Sequence, residues 1–430
     1  MTLSGHRLRH RRRELLAAGC VLVCAAFAGL GGCAGDRTAS DGQMFINTNT
    51  APLPALDGEP VSEGDARAIG DLTRQMSRAI YQRDSIGFLA LCTDADPMTA
   101  AERRYFARDF IDTPVHFIAT TAFEPRRRRV PGVDGVVVDA AVQWLWEYRD
   151  TVPGTTTPSK PVSRRHVDYA RFIKTSDGWK YDGPIWDKTV KDGIEVWAMP
   201  RLHTAATNAA DAFRDVRASV EATMNVHHKR NQVIKLFHTS DQLKFSIALS
   251  YNDDIDGWNE PNESIRLVST PDQSRDDFRG LIAHEYGHVC TFALGPTAND
   301  MPWWTLEGVA EMCAEPFTRD GVNNLRELRS MADKGTLVPL KDLADFGKVT
   351  PQNFGHVYTH GHAIVTWIRR TKGSAVLDRW LRAMSNGTSY EKACIDLLGM
   401  TPAAIEQQWR LSLGASPVAA PNPKPSDVVY

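Results

Sequence analysis

Apolar positions recur every three to four residues over 66–84 and again over 99–110, which predicts two helices. The rhythm then changes. Residues 115–120, 136–148 and 165–174 carry extended, partly alternating apolar runs, and Ser176-Asp177-Gly178 turns the chain into Trp179-Lys180-Tyr181 as a hairpin. A helical pattern returns over 202–224. Residues 232–237 and 245–249 read as short strands, and 264–269 alternates like an edge strand. From 276 onward the periodicity is helical, over 276–292, 325–332, 358–370, 374–384, 390–398 and 403–413. The fold class is therefore α+β, with a strand-rich first part and a mainly helical second part.

The two ends fall outside this pattern. Arg7, Arg9, Arg11, Arg12 and Arg13 form a basic start, followed by an apolar, Ala-rich run from Leu15 to Leu30 and then Gly31-Gly32-Cys33. Residues 1–32 read as a signal peptide. The tetrapeptide Leu30-Gly31-Gly32-Cys33 resembles a bacterial lipobox, which implies acylation of Cys33 and a lipid anchor in the cell envelope. Ordinary cleavage nearby or a retained anchor helix stay open. Residues 33–62 read as a flexible tether and 414–430, with four prolines, as a disordered tail.

Loss of residues 1–32, with their five Arg and one Glu, moves the formal charge from −2 to −6. That balance speaks against a nucleic-acid partner. The one basic run, Arg126–Arg129, lies between Pro125 and Pro131-Gly132 and reads as a solvated loop. Beyond Cys33 the cysteines are Cys92, Cys290, Cys313 and Cys394, in no zinc-thiolate spacing. An exported chain permits disulfides, which leaves a Cys290–Cys313 bridge open.

Chemistry concentrates at residues 284–288, His-Glu-Tyr-Gly-His. On a helix this places His284 and His288 one turn apart on one face. Two neutral imidazoles suit Zn²⁺, and Glu285 is offset toward the place of a general base. Phe278, Leu281, Ile282, Val289 and Phe292 support the helix, and Gly295-Pro296 ends it. Eighteen residues separate His288 from Glu307, a third candidate ligand. A core helix with hydrogen-bonded histidines is the plainer reading.

The segment Trp303-Trp304-Thr305-Leu306-Glu307-Gly308-Val309-Ala310-Glu311 resembles the Trp-Leu-x-Glu-Gly-x-Ala stretch of the gluzincin zinc metallopeptidases. The resemblance implies a thermolysin-like domain over 200–413, one bound Zn²⁺, and Glu307 as its third protein ligand. It also implies that Glu311 bonds a zinc histidine, His284; a solvated helix carboxylate is the alternative. Val357-Tyr358-Thr359-His360-Gly361-His362 is similar to a helix of aminopeptidase-type gluzincins whose tyrosine donates to the oxyanion. That role falls on Tyr358, against a tyrosine merely packed in its helix. His360 and His362 stay open as cleft donors.

The family's Gly-x-Met-Glu-Asn strand, which grips a substrate amine, has no counterpart in residues 263–270. The pattern resembles the broad peptidase MA-like group, and it points to an endopeptidase acting on peptide or protein substrates. That stretch, as an edge strand, offers pairing to an extended peptide. Residues 63–195 resemble a cystatin-like cone of the nuclear-transport-factor-2 type, read as a spacer or substrate-gathering domain. The rival reading is a non-catalytic zinc-binding lipoprotein that binds a ligand or partner.

Overall fold

The first sheet is antiparallel throughout, with strands β1 (Glu59–Pro60), β2 (Val115–Arg128), β3 (Val137–Arg149), β4 (Pro161–Thr175) and β5 (Gly178–Pro184) in that spatial order. The computed structural model describes residues 56–414, apart from 95–96, 131, 133–134, 150–160, 229–230, 252–254, 260–262 and 319. Cys33, residues 1–32, most of the expected tether and the tail from 415 lie outside the described residues.

Along β3, Val138, Ala140, Val142, Trp144 and Trp146 alternate onto one face. They share a core with Ile69, Leu72, Met76 and Ile80, which repeat at helical spacing along the helix Glu63–Tyr81. The Val, Leu, Ile and Met side chains among them each contribute about 1.5–3 kcal/mol when fully buried. The helix begins where Ser62 accepts from the Asp65 amide at 3.1 Å, with Glu63 and Asp65 in the first turn.

The second sheet contains β6 (Asp187–Lys191), β7 (Ile194–Ala198), β8 (Val233–Phe237), β9 (Gly257–Asn259) and β10 (Ile265–Val268), in the order β6-β7-β8-β10-β9. β10 pairs with β8 in parallel and with β9 antiparallel. The stretch read as an edge strand is therefore interior. Both rows of its backbone groups are occupied, and it cannot take up an added peptide strand.

Other expectations need correction. Residues 245–249 do not form a strand; they belong mostly to a helix, Ser240–Ile247. Thr239 caps it by accepting from the Gln242 amide at 3.2 Å, and Leu243 and Ile247 are buried one turn apart. Arg126–Arg128 are not a loop. A register shift between Phe123 and Arg126 absorbs Glu124 and Pro125, after which β2 continues, paired with β1 and β3. The last part of the expected tether is itself ordered, because Glu59 and Pro60 pair with Arg127 and Arg126.

The described chain forms two compact units. One comprises residues 56–211 and 231–274 and holds both sheets. The other comprises 212–228 and 275–414, and its regular elements are helical. This partition differs from a linear division near residue 195, since the second sheet is grouped with the first. Among the described residues, no helix is long and apolar enough to cross a membrane.

Candidate metal centre

Three helices of the helical unit build the site: Arg275–Phe292, Trp303–Ala314 and Phe354–Lys372. Small residues let them approach closely. A Cβ on Gly308 would lie 2.3 Å from the carbonyl carbon and oxygen of Gly361, and one on Gly361 would lie 2.2 Å from the Trp304 oxygen. A Cβ on Gly287 would meet Ala310 at 3.1 Å. At Gly308 and Gly361 only glycine allows the backbones to touch. Because Gly287, Gly308 and Gly361 sit one, one and three residues from Tyr286 or His288, Glu307 and Tyr358, the contacts fix those side chains in depth.

The histidine helix is tied down on its other side. Tyr286 donates from its hydroxyl to Glu221 at 2.7 Å, and Glu221 is held by Arg217 at 2.9 Å. Phe213 meets the Tyr286 ring edge-on at 4.9 Å.

His284, His288 and Glu307 converge, with one candidate ligand atom from each within 4.8 Å of the others. His284 Nε2 lies 3.3 Å and His288 Nε2 lies 3.4 Å from the same atom, Glu307 Oε2. The other oxygen, Oε1, accepts from the Trp303 indole N–H at 2.8 Å. His284 Nδ1 faces Glu311 Oε1 at 3.1 Å. An Nδ1–H that donates to Glu311 leaves Nε2 as the ligand atom.

These spacings test the fit of a metal. Tetrahedral zinc with bonds of about 2.0–2.2 Å separates its ligand atoms by about 3.3–3.5 Å. The two Nε2–Oε2 distances fall in that interval. They are longer than the roughly 2.7–2.9 Å of a charge-assisted hydrogen bond, so direct pairing accounts for them less well. His284, Glu285, His288 and Glu307 are all buried, where polar groups need partners. Two imidazoles and a carboxylate suit zinc.

The same groups also act on one another electrostatically. Burial alone would disfavour charge on His284, but Glu307 and Glu311 outweigh it and hold its pKa well above the ordinary value. Burial would raise the Glu307 carboxyl; the two histidines overcome that and hold it low.

Glu285 is fully buried and close enough to His284 for its charge to act on it. Tyr358 is buried, with its ring 6.2 Å from that of His284 and 6.2 Å from that of Trp303. The structure thus gathers His284, His288, Glu307, Glu311, Glu285 and Tyr358 in one region of one unit.

The neighbouring histidines point elsewhere. His360 packs against Trp409 and His356, and burial drives its pKa down to about 3. His362 Nε2 faces Glu315 Oε2 at 3.7 Å. Cys92, Cys290, Cys313 and Cys394 are buried free thiols, so the Cys290–Cys313 bridge does not form.

Two features escaped the reading of the sequence. Trp303 orients Glu307, and its position four residues earlier on the same helix was the available signal. The crossing of Gly308 with Gly361 could be read only once the helices were placed.

No protein-family model matches the chain. No curated protein matches it either. Among solved structures it is similar to the structure of native yeast LTA4 hydrolase, at 10% identity and a TM-score of 0.37. The likeness covers 67% of this chain and 66% of that one, just under two thirds of its length. At that level it decides nothing about the chemistry of this chain, which rests on His284, His288, Glu307 and their neighbours.

Proposed function

We propose that the chain is a zinc-dependent peptidase that hydrolyses peptide bonds in an endo fashion. The observation that carries this reading is the ligand count together with Glu285. Among the described residues three ligands converge rather than four, and a buried carboxylate stands beside them. A structural zinc site uses four protein ligands, whereas a catalytic one keeps a position for water.

His284, His288 and Glu307 would hold the ion. When bound, zinc supplies Lewis acidity and brings the pKa of water toward neutrality. Glu285 accepts the proton of the attacking water and passes it to the leaving amine. Tyr358 donates to the carbonyl oxygen as negative charge builds on it. Glu311 and Trp303 orient His284 and Glu307. A buried carboxylate beside the ligands supports this over a non-catalytic zinc lipoprotein, which has no need of one.

Endopeptidase action is supported by residues 263–270, which lack the acidic pair that would bind a substrate's ammonium group. The basic start, the apolar run and Cys33 support export and a lipid anchor to the membrane. A formal charge of −6 after loss of residues 1–32 supports protein or peptide partners rather than nucleic acid. The order of elements supports a cone-like first domain and a thermolysin-like second one.

The test is cleavage of a mixed peptide library by the purified chain before and after chelation, with metal content measured alongside. Internal cleavage that disappears on chelation and returns with one equivalent of zinc is expected. Metal-independent cleavage, or no cleavage with zinc fully bound, would overturn the proposal.

A further inference from the structure

The unit that carries both sheets encloses a cavity of about 680 Å³. Small-molecule sites span roughly 300–1,000 Å³. Nothing proposed for the metal centre uses this space. Aromatic rings form part of its wall, with Phe106, Trp144, Tyr181, Trp186 and Phe245 among the lining residues. Ring pairs brace the wall: Trp144–Phe245 at 5.3 Å, Phe106–Phe245 at 5.9 Å and Trp144–Tyr181 at 6.2 Å.

The buried charges around it are closed on one another. Glu102 pairs with Lys235, accepts from the Ser264 hydroxyl at 2.6 Å, and lies 3.4 Å from Arg266. Arg266 also holds Glu263 at 2.8 Å. Arg171 grips Asp139 through two bonds, at 2.9 and 3.1 Å. Arg103 donates to the backbone carbonyls of Thr93 and Asp182. Lys188, over the Trp197 ring at 3.7 Å, is exposed to water. An anionic ligand would lose its hydration with no buried cation left to replace it.

Hydrogen-bond donors are what the wall leaves open. Trp144 is 2% exposed and Gln242 is 7% exposed. Gln242 Oε1 accepts from the His238 amide at 3.0 Å. Among the described residues, neither the Gln242 Nε2 amide nor the Trp144 indole N–H donates to any group. Both residues line the cavity, where a ligand oxygen can accept from them.

We infer that this cavity is a binding site for a neutral, ring-bearing small molecule carrying carbonyl or ether oxygens. Its rings lie against the aromatic wall, and an oxygen accepts from Trp144 and Gln242. The site is independent of the metal centre.

The test titrates the purified full chain with the neutral fluorescent probe N-phenyl-1-naphthylamine and then displaces it. Three competitors are used: coumarin, which is flat and neutral with a carbonyl; naphthalene, which lacks an acceptor; and coumarin-3-carboxylate, which is anionic. Saturable binding near one probe per chain is expected, with coumarin the strongest competitor. Ser246→Trp, which fills the cavity from its wall, should weaken probe binding at least tenfold, and Thr99→Trp repeats the test from another helix. Trp144→Phe and Gln242→Leu should each lower the preference for coumarin over naphthalene about twofold to tenfold, the value of one neutral hydrogen bond. The proposal falls if the probe does not saturate, or if filled variants that keep the native circular dichroism still bind it. It also falls if the carboxylate competes best or if the two donor variants leave the preference unchanged.

Discussion

Trp303 donates its indole N–H to Glu307 Oε1 at 2.8 Å, which leaves Oε2 to face His284 and His288 together. The indole is itself held by Phe346 at 4.6 Å and Phe354 at 4.9 Å, so the carboxylate is aimed by a packed ring one helical turn away. Trp303→Phe keeps most of that packing and removes the donor. Zinc affinity should fall about 10–100-fold, the usual effect of losing such a partner. Competition against a chromophoric chelator measures it, and the far-UV spectrum should stay unchanged. Glu311→Gln should act in the same direction through His284.

Tyr358→Phe removes only the hydroxyl. If that group donates to the developing oxyanion, kcat should fall about 10²–10³-fold with KM little changed. Steady-state kinetics on an internally quenched peptide separates the two constants. A change confined to KM would instead mark Tyr358 as a substrate contact.

The crossing at Gly308 and Gly361 should be intolerant of a single methyl group. Either residue changed to Ala places a Cβ 2.2–2.3 Å from backbone atoms of the facing helix, and destabilisation of about 1–3 kcal/mol or more is expected. Gly355→Ala, on the same helix but with no atom within 4 Å of the added Cβ, should instead stabilise by about 0.5–1 kcal/mol. Denaturant unfolding of the three variants reports the contrast.

Glu102 gives the sheet-bearing unit a pH dependence of known sign. Burial would raise its pKa, but Lys235 and Arg266 overcome that and hold it at about 2. The unfolded value is about 4.3. A depressed folded pKa contributes stability that is present above the unfolded value and lost as pH falls through it toward about 2. The thermal unfolding midpoint should therefore fall between about pH 4.5 and pH 2, and part of that slope should vanish in Glu102→Gln. At neutral pH the variant should be less stable by about 3–5 kcal/mol, because Lys235 is left buried without its partner.

Most of the candidate site was legible because its residues lie on helices, where spacing converts directly into direction. His284 and His288 share a face by sequence separation alone, and Glu311 follows Glu307 by one turn. The ordering of helices and long strands was legible for the same reason. What stayed hidden depends on tertiary placement. A short apolar run such as 245–249 fits a strand or a helix equally well, and the cap at Thr239 decided it. The alternation of 264–269 predicts a strand but not its neighbours, and β9 covers the side that looked free. Arginines at 126–128 read as a loop in sequence, yet a bulge carries β2 through them, with Arg127 and Arg128 exposed as expected.

The most direct test of the central claim is a comparison of the wild type with Glu285→Gln, measuring bound zinc and peptide cleavage on the same samples. Glu285 is buried beside the three converging ligands without being one of them. About one zinc per chain is expected in both proteins, with internal cleavage by the wild type and a loss of turnover of at least about 10²-fold in the variant. Full peptidase activity in Glu285→Gln with zinc bound would contradict the claim.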